Sequence, residues 1–160
     1  MGHYVGTRTI AAPIESVFAY RLDLHNLPAY NPDVRDLRLL RGEAARDGSV
    51  WAFRLRLAPG VWTRAVLSVA VAERPLRLEF HITSLMDAQE VCAFEPAETT
   101  GAAATKVSFD YTVKTRGGFF APLLDRIFVN PVMRRQVERE IRLMAAQLEA
   151  EPDLRARTST

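Results

Sequence analysis

The stretch TKVSFDYTVK, residues 105–114, alternates along its whole length: Thr105, Val107, Phe109, Tyr111 and Val113 fall on one parity, Lys106, Ser108, Asp110, Thr112 and Lys114 on the other. Successive side chains of a strand point to opposite faces, so this segment reads as a strand with one dry and one wet face. Beyond Gly117-Gly118 the period changes. Met133, Val137, Ile141, Met144 and Leu148 recur at i, i+4, i+8, i+11 and i+15, one stripe of a helix about 20 residues long. A long helix closing over a strongly curved antiparallel sheet tends to leave a hollow between them, and such a protein would act in the hollow.

Between strand and helix, Phe120, Leu124, Ile127 and Phe128 also repeat helically, in a different phase. The shift falls at Asn130-Pro131, where Asn is a good N-cap and Pro disfavours a helical residue before it. A short helix, a break at Asn130 and then the main helix are expected. From Glu151 the pattern stops, so residues 1–150 are read as one ligand-binding domain and 151–160 as a flexible tail.

Towards the N-terminus, Tyr4 to Ala11 reads as a first strand. Pro13 suits the first turn of a helix carrying Ile14, Val17 and Phe18, and Asp23 can cap a second short piece limited by Pro28 and Pro32. Val34 to Arg41, Ser49 to Leu57, Val61 to Glu73, Leu76 to Ile82 and Ala88 to Glu95 read as further strands, and Pro96 to Ala104 as a loop. In the second of these, Trp51, Phe53, Leu55 and Leu57 alternate with Ala52, Arg54 and Arg56. Strands joined this closely leave no room for crossover helices, which makes the sheet antiparallel.

The chain's 160 residues suit one domain, and 48% apolar with 25% charged residues is ordinary for a globular protein. With 21 basic against 19 acidic residues the net charge is +2, no global field for nucleic acid, so no DNA partner is expected. Cys92 is the single cysteine, excluding an intrachain disulfide and making a reducing, cytoplasmic setting the default. No signal core and no transmembrane run of about 20 apolar residues is present. GxSxG, Walker and post-strand GxGxxG motifs are absent, and His3, His25 and His81 lie far apart with no HxxxH or CxxC, so neither a metal nor a cofactor is expected.

Two inward-parity polar residues are the leading candidates for chemistry. Glu90 shares a face with Cys92 and Phe94, and a carboxylate in an apolar cavity has its charged form disfavoured, so it could move protons near neutral pH. Tyr111 could orient or polarise a ligand carbonyl or hydroxyl. The alternatives are a bulge that turns Glu90 outward and a Tyr111 hydroxyl bonded to backbone. His25, in the loop that would rim the hollow, is either a capping residue or a third acid/base; His81 has outward parity. Tyr4 and Arg8 share the parity of Ile10, and Arg8 could meet Glu90 as a buried pair or grip an anionic ligand. Trp51, Phe53, Thr63 and Phe80 are wall or core residues. Tyr30, Cys92, Phe94, Phe109, Val137 and Ile141 complete the expected ligand contacts, with Phe120 as a gate or core cap. Arg134, Arg135, Arg139 and Arg142, interleaved with Glu138 and Glu140, read as a solvated helix face with ion pairs, or else as a surface for an anionic membrane, a carrier protein or RNA.

The segment IAAPIESVF (residues 10–18), then Asp23, then LPAYNP (27–32), resembles the opening of the START/Bet v1-like superfamily, within it the polyketide cyclase/dehydrase and coenzyme-Q-binding branch. Phe94-Glu95-Pro96, the stretch from Thr105 to Tyr111 and the final helix continue the match over roughly residues 3–150. The resemblance implies an α+β helix-grip fold: a curved seven-stranded antiparallel sheet around a long C-terminal helix, with two short helices after the first strand and a cavity between. The family often has Trp where Tyr30 stands. Its members range over lipid carriers, hormone receptors, cyclases and ribosome-associated proteins.

Three functions follow as expectations. The first is binding of a hydrophobic small molecule such as a lipid, isoprenoid or polyketide; burying about 300 Å² of it supplies roughly 7 kcal/mol gross. The second is a polyketide cyclase, aromatase or dehydratase whose pocket restricts the substrate while Glu90, Tyr111 or His25 transfers protons. The third is a protein- or ribosome-interaction module using the arginine-bearing helix. A homodimer is left open.

Overall fold

A computed structural model describes residues 2–115 and 130–150. Strand β1 (Gly2–Ile10) is followed by α1 (Ile14–Leu22), a 3-10 turn (Leu24–Asn26) and α2 (Leu27–Tyr30). Six strands come next: β2 (Val34–Arg41), β3 (Val50–Ala58), β4 (Val61–Glu73), β5 (Arg77–Thr83), β6 (Met86–Thr99) and β7 (Ala102–Thr115). The last described element is α3 (Asn130–Ala150); Asn130 is already helical and is where the described residues resume, so the expected N-cap and break there lie at their border. The expected short helix over Phe120 to Phe128, the Gly117-Gly118 break, the Phe120 gate and the tail from Glu151 lie outside the described residues.

The strands form one antiparallel sheet in the order β1-β7-β6-β5-β4-β3-β2. From β2 to β7 each strand pairs with the next in sequence, as short connections require. Only β1 pairs at long range, with β7, so β1 and β2 are the two edges and the α1–α2 segment carries the chain from one to the other. Local chemistry starts and stops these helices. Pro13 stands at the N-cap of α1, and the Asp23 carboxylate accepts from the His25 backbone N–H at 3.1 Å, capping the 3-10 turn.

The expected Pro96–Ala104 loop is instead strand. β6 and β7 stay paired to their ends, Pro96 opposite Thr105 and Thr99 opposite Ala102. Proline is tolerated because its nitrogen shares the parity of Phe94, whose N–H reaches Leu76 on the β5 side. β5 ends before that point, so the missing donor faces an open edge. Thr100 and Gly101, both at positive φ (49° and 77°), make the tight two-residue turn that hairpin twist favours.

The core lies on one face of the sheet. Ile10, Phe18, Tyr30, Trp51, Leu78, Phe80 and Val107 are fully or nearly fully buried, and α3 seals them with Val137, Ile141, Met144, Ala145 and Leu148. Val137, Ile141, Met144 and Leu148 belong to the stripe read from the sequence, Ala145 is added, and the Met133 side chain lies outside the described ones. Leu148 is fully buried, so Leu148→Ala should cost about 3 kcal/mol and lower Tm by about 6–12 °C. Arg142→Ala, on the exposed side, should stay within about 0.5 kcal/mol. Thermal unfolding followed by circular dichroism checks both, and equal effects would mean that α3 is not seated on this stripe.

Candidate functional site

On α1, Ile14, Val17, Phe18 and Arg21 fall at i, i+3, i+4 and i+7, which places an arginine on the helix's apolar face. Arg21 is 2% exposed. Its Nη2 donates to both oxygens of Glu90 at 2.7 Å, and its Nη1 donates to the Tyr30 hydroxyl at 2.6 Å. The same Nη2 lies 3.4 Å from a Glu140 oxygen on α3. The guanidinium sits over the Phe80 ring, 4.7 Å from its centroid, and 5.4 Å from that of Tyr30. Glu90 also accepts from the Cys92 thiol at 3.2 Å, and the second Glu140 oxygen accepts from the Asn31 amide at 2.9 Å.

One positive charge thus faces two carboxylates, Glu90 buried and Glu140 half-buried. Burial works against the Arg21 charge, but Glu90, Tyr30 and Glu140 together outweigh it and hold the guanidinium protonated. For Glu140, burial dominates and the Glu90 charge adds to it; Arg21 and Asn31 offset only part, and its pKa is pushed up to about 7. Burial, reinforced by Glu90 and Glu140, also raises the Tyr111 phenol above its ordinary value, and burial raises the Cys92 thiol, keeping it protonated. Both Glu90 oxygens are taken by Arg21, so the group poised to exchange a proton near neutrality is Glu140.

Above this cluster, under α3, lies a narrow pocket lined by Arg21, Glu90, Phe109, Tyr111, Val137, Glu140, Ile141 and Met144. Its volume of about 10 Å³ is room for one water. Of the residues expected at the site, Glu90, Tyr111, Phe109, Val137 and Ile141 meet here. Glu90 and Tyr111 stand directly opposite in unbroken β6–β7 register, with Tyr4 beyond on β1 and Phe80 on β5 in the same row. Glu90 is not turned outward by a bulge, and among the described residues the Tyr111 hydroxyl makes no hydrogen bond.

The others lie elsewhere. Arg8 does not pair with Glu90: it is exposed on an edge strand, in register with Val107 and Phe94, four residues along β1 from the Tyr4 row, or about 13 Å. The carboxylate's partner is Arg21. His25 is exposed, 2.9 Å from Asp23, which caps its backbone N–H, and edge-on to the Trp51 ring at 4.9 Å, so it packs away from the pocket. Trp51, Phe53 and Phe94 are buried core, Cys92 lies behind Glu90, and Thr63 is half-buried opposite Leu55.

The arginine run of α3 is also divided. Arg134 pairs with Glu138 at 2.8 Å as a helical ion pair, and Arg135 and Arg142 are exposed. Glu140 and Arg139 leave the expected solvated face. Arg139 pairs with the buried Asp33, which also accepts from Arg56 Nε at 2.7 Å, tying α3 to the start of β2 and to β3. Arg21, Asn31 and Glu140 were missed from the sequence. Helical spacing could have found two of them, since Glu140 lies at i+3 from Val137 and i−4 from Met144, on the apolar stripe. Among the described residues no group of three or more His, Cys, Asp or Glu side chains could hold a metal ion, and no helix is long and apolar enough to cross a membrane.

A family model described as polyketide cyclase / dehydrase and lipid transport matches residues 1–151. No curated protein gives a match. Among solved structures, protein TTHA0849 from Thermus thermophilus is 23% identical, with TM-score 0.72 over 92% of this chain and 97% of that one. The Zhui aromatase/cyclase from Streptomyces sp. R1128 is 17% identical, with TM-score 0.70 over 92% and 93%. Ara h 8.0201 is 13% identical, with TM-score 0.67 over 93% and 98%. At these identities the likeness is one of fold: the helix-grip arrangement of a curved seven-stranded sheet, short helices after the first strand and a C-terminal helix.

Two outcomes test the electrostatics of the site. Arg21→Met leaves the buried Glu90 carboxylate without its counter-charge and should cost about 3–5 kcal/mol in urea unfolding, whereas Arg21→Met/Glu90→Leu should recover most of it. Because the folded-state pKa of Glu140 lies above the ordinary 4.5, the folded protein holds this proton more tightly than the unfolded chain. Its contribution to stability is therefore complete below about pH 4.5 and fades as pH rises through about 7. Wild-type Tm should fall relative to Glu140→Gln from about pH 5 to 8, and a constant difference would show that Glu140 does not titrate there.

Proposed function

We propose that this chain, which belongs to the polyketide cyclase/dehydrase and lipid transport family, binds a hydrophobic small molecule between its sheet and α3, with a neutral polar end of the ligand turned towards Tyr111 and Glu140. The observation that carries this reading is the convergence of Arg21, Glu90, Glu140 and Tyr111 on one spot otherwise walled by Phe109, Val137, Ile141 and Met144. The Arg21 charge is already met by Glu90, so the spot offers hydrogen bonds and no uncompensated positive charge. A ligand carboxylate would face Glu90 and Glu140 and be repelled. A carbonyl or hydroxyl would find the free Tyr111 hydroxyl and the exchangeable Glu140 proton. A pocket the size of one water admits such a molecule only when the α3 side chains Val137, Ile141 and Met144 give way, and that movement draws on the gross energy of burying the ligand.

Glu140, with its pKa near 7, favours a second reading at the same spot: acid/base catalysis on the bound molecule, as in a cyclase, aromatase or dehydratase. Glu140 would give or take the proton and Tyr111 would polarise the carbonyl. The arginine-bearing helix has less to support it as an interaction module, because Arg139 is spent on Asp33 and Arg134 on Glu138.

Native mass spectrometry of protein purified from its own host, followed by denaturing extraction, should find a stoichiometric hydrophobic molecule carrying a carbonyl or hydroxyl. Tyr111→Phe should weaken its binding about tenfold, the worth of one hydrogen bond. If the same molecule is turned over, Glu140→Gln should abolish turnover and leave binding. Empty protein that shows no mass shift with a panel of lipids and aromatic polyketides would sink both readings.

A further inference from the structure

The outer face of the sheet carries a charge arrangement that folding alone does not favour. Arg35 on β2, Arg54 on β3 and Arg64 on β4 stand directly opposite one another in a single cross-strand row. Like charges so placed destabilise a sheet. Arg38 follows in the next row, opposite Ala52, which is itself opposite Val66. All four arginines are exposed. Asp36, at a β2 bulge with φ of 56°, lies 3.8 Å from both Arg35 and Arg54. Among the described residues Arg38 and Arg64 have no ion pair. Four arginines against Asp36 leave this patch at +3, more than the +2 of the whole chain.

Between the rows the surface is concave. Arg38, Arg54 and Arg64, with Asp36, Leu40 and Val66, line a groove of about 490 Å³, and Leu40 and Val66 are 51% and 38% exposed. We propose that this groove docks an acidic, amphipathic segment of a partner protein, its carboxylates against the arginines and an apolar side chain between Leu40 and Val66. Apolar side chains set among arginines around a concave surface suit a protruding amphipathic segment. The aromatic surface argues against single-stranded nucleic acid: the nearby Trp62 ring is already covered by Arg35, whose guanidinium lies 3.8 Å from its centroid, and so offers no open stacking platform. The bulge at Asp36 hinders addition of a strand to the β2 edge, leaving the face as the place of contact. Complementary charge of this kind sets on-rate and partner choice and is screened by salt.

The probe is a fluorescently labelled helical peptide with Glu at i, i+4 spacing and Leu between, titrated by anisotropy against the whole protein. It should bind, weaken at least about tenfold between about 50 and 300 mM salt, and lose at least about tenfold in Arg54→Glu/Arg64→Glu. Arg54→Gln/Arg64→Gln, which removes charge without reversing it, should lose binding in the same sense. Arg135→Glu/Arg142→Glu changes net charge equally on α3 and should keep binding within about threefold. The proposal is overturned if the peptide fails to bind, if the two charge-reversal variants lose equally, or if phosphatidylserine–phosphatidylcholine vesicles or poly(U) bind the same arginines more tightly than the peptide does.

Discussion

A guanidinium held out of water at Arg21 is the constraint around which the interior is assembled. Removing one ion from water costs several kcal/mol, and the attraction of a partner repays it only with good geometry and further hydrogen bonds. Here α1 supplies the cation, β6 the carboxylate, α2 the Tyr30 hydroxyl, β5 the Phe80 ring and α3 the second carboxylate. These groups lie between residues 21 and 140, so the pair is satisfied only when sheet register, the crossing of α1 and the seating of α3 are all correct. A hydrophobic replacement could match its stability, but it would not impose so specific a set of neighbours. The Asp33 clasp on Arg56 and Arg139 repeats the device at the sheet's other edge, fixing α3 there as well.

The fold was legible because its signals are local. Strand alternation needs only neighbouring residues, which is why the inward parity of Glu90 and Tyr111 could be read directly, whereas their standing opposite one another across β6 and β7 is a matter of register. The Pro96–Ala104 segment misled because proline is a strand breaker only where its N–H would be needed, and whether β5 reaches that far is not written near Pro96. The partner of Glu90 was misassigned for a related reason. Parity gives the face of a strand but not the position along it, and Arg8 lies two pleats away from the Glu90 row. Arg21 and Glu140 carried a local signal, a charge on an apolar helical stripe, but a charged residue at such a position reads as snorkelling until its partner is known. The partner lies about 70 residues away from Arg21 in sequence.

The two faces of the sheet divide the work. The inner face gathers Arg21, Glu90 and Glu140 into one cluster among apolar neighbours, so on the proposed reading it would recognise shape with a single polar end. The outer face does the reverse, spreading unneutralised arginines over β2, β3 and β4 around a shallow recess. The faces meet at the start of β2, where Asp33 answers inward to α3 and Asp36 outward to the arginine row. Two residues, Val34 and Arg35, separate a buried clasp from an exposed charged surface, and the bulge in β2 turns Asp36 outward.

On the proposed reading, Glu140 makes the pocket's preference depend on its proton. Below about pH 7 the carboxyl is neutral, the Arg21–Glu90 pair leaves the cluster without net charge, and Glu140 and Tyr111 both present O–H donors. A carbonyl then fits best. Above that pH the cluster carries a net negative charge and Glu140 becomes an acceptor, so a ligand hydroxyl is favoured and a carbonyl keeps only Tyr111. The same ionisation weakens the seat of α3, because stability falls as Glu140 loses its proton. The helix that must give way for a ligand is thus loosened under the conditions that favour a hydroxyl.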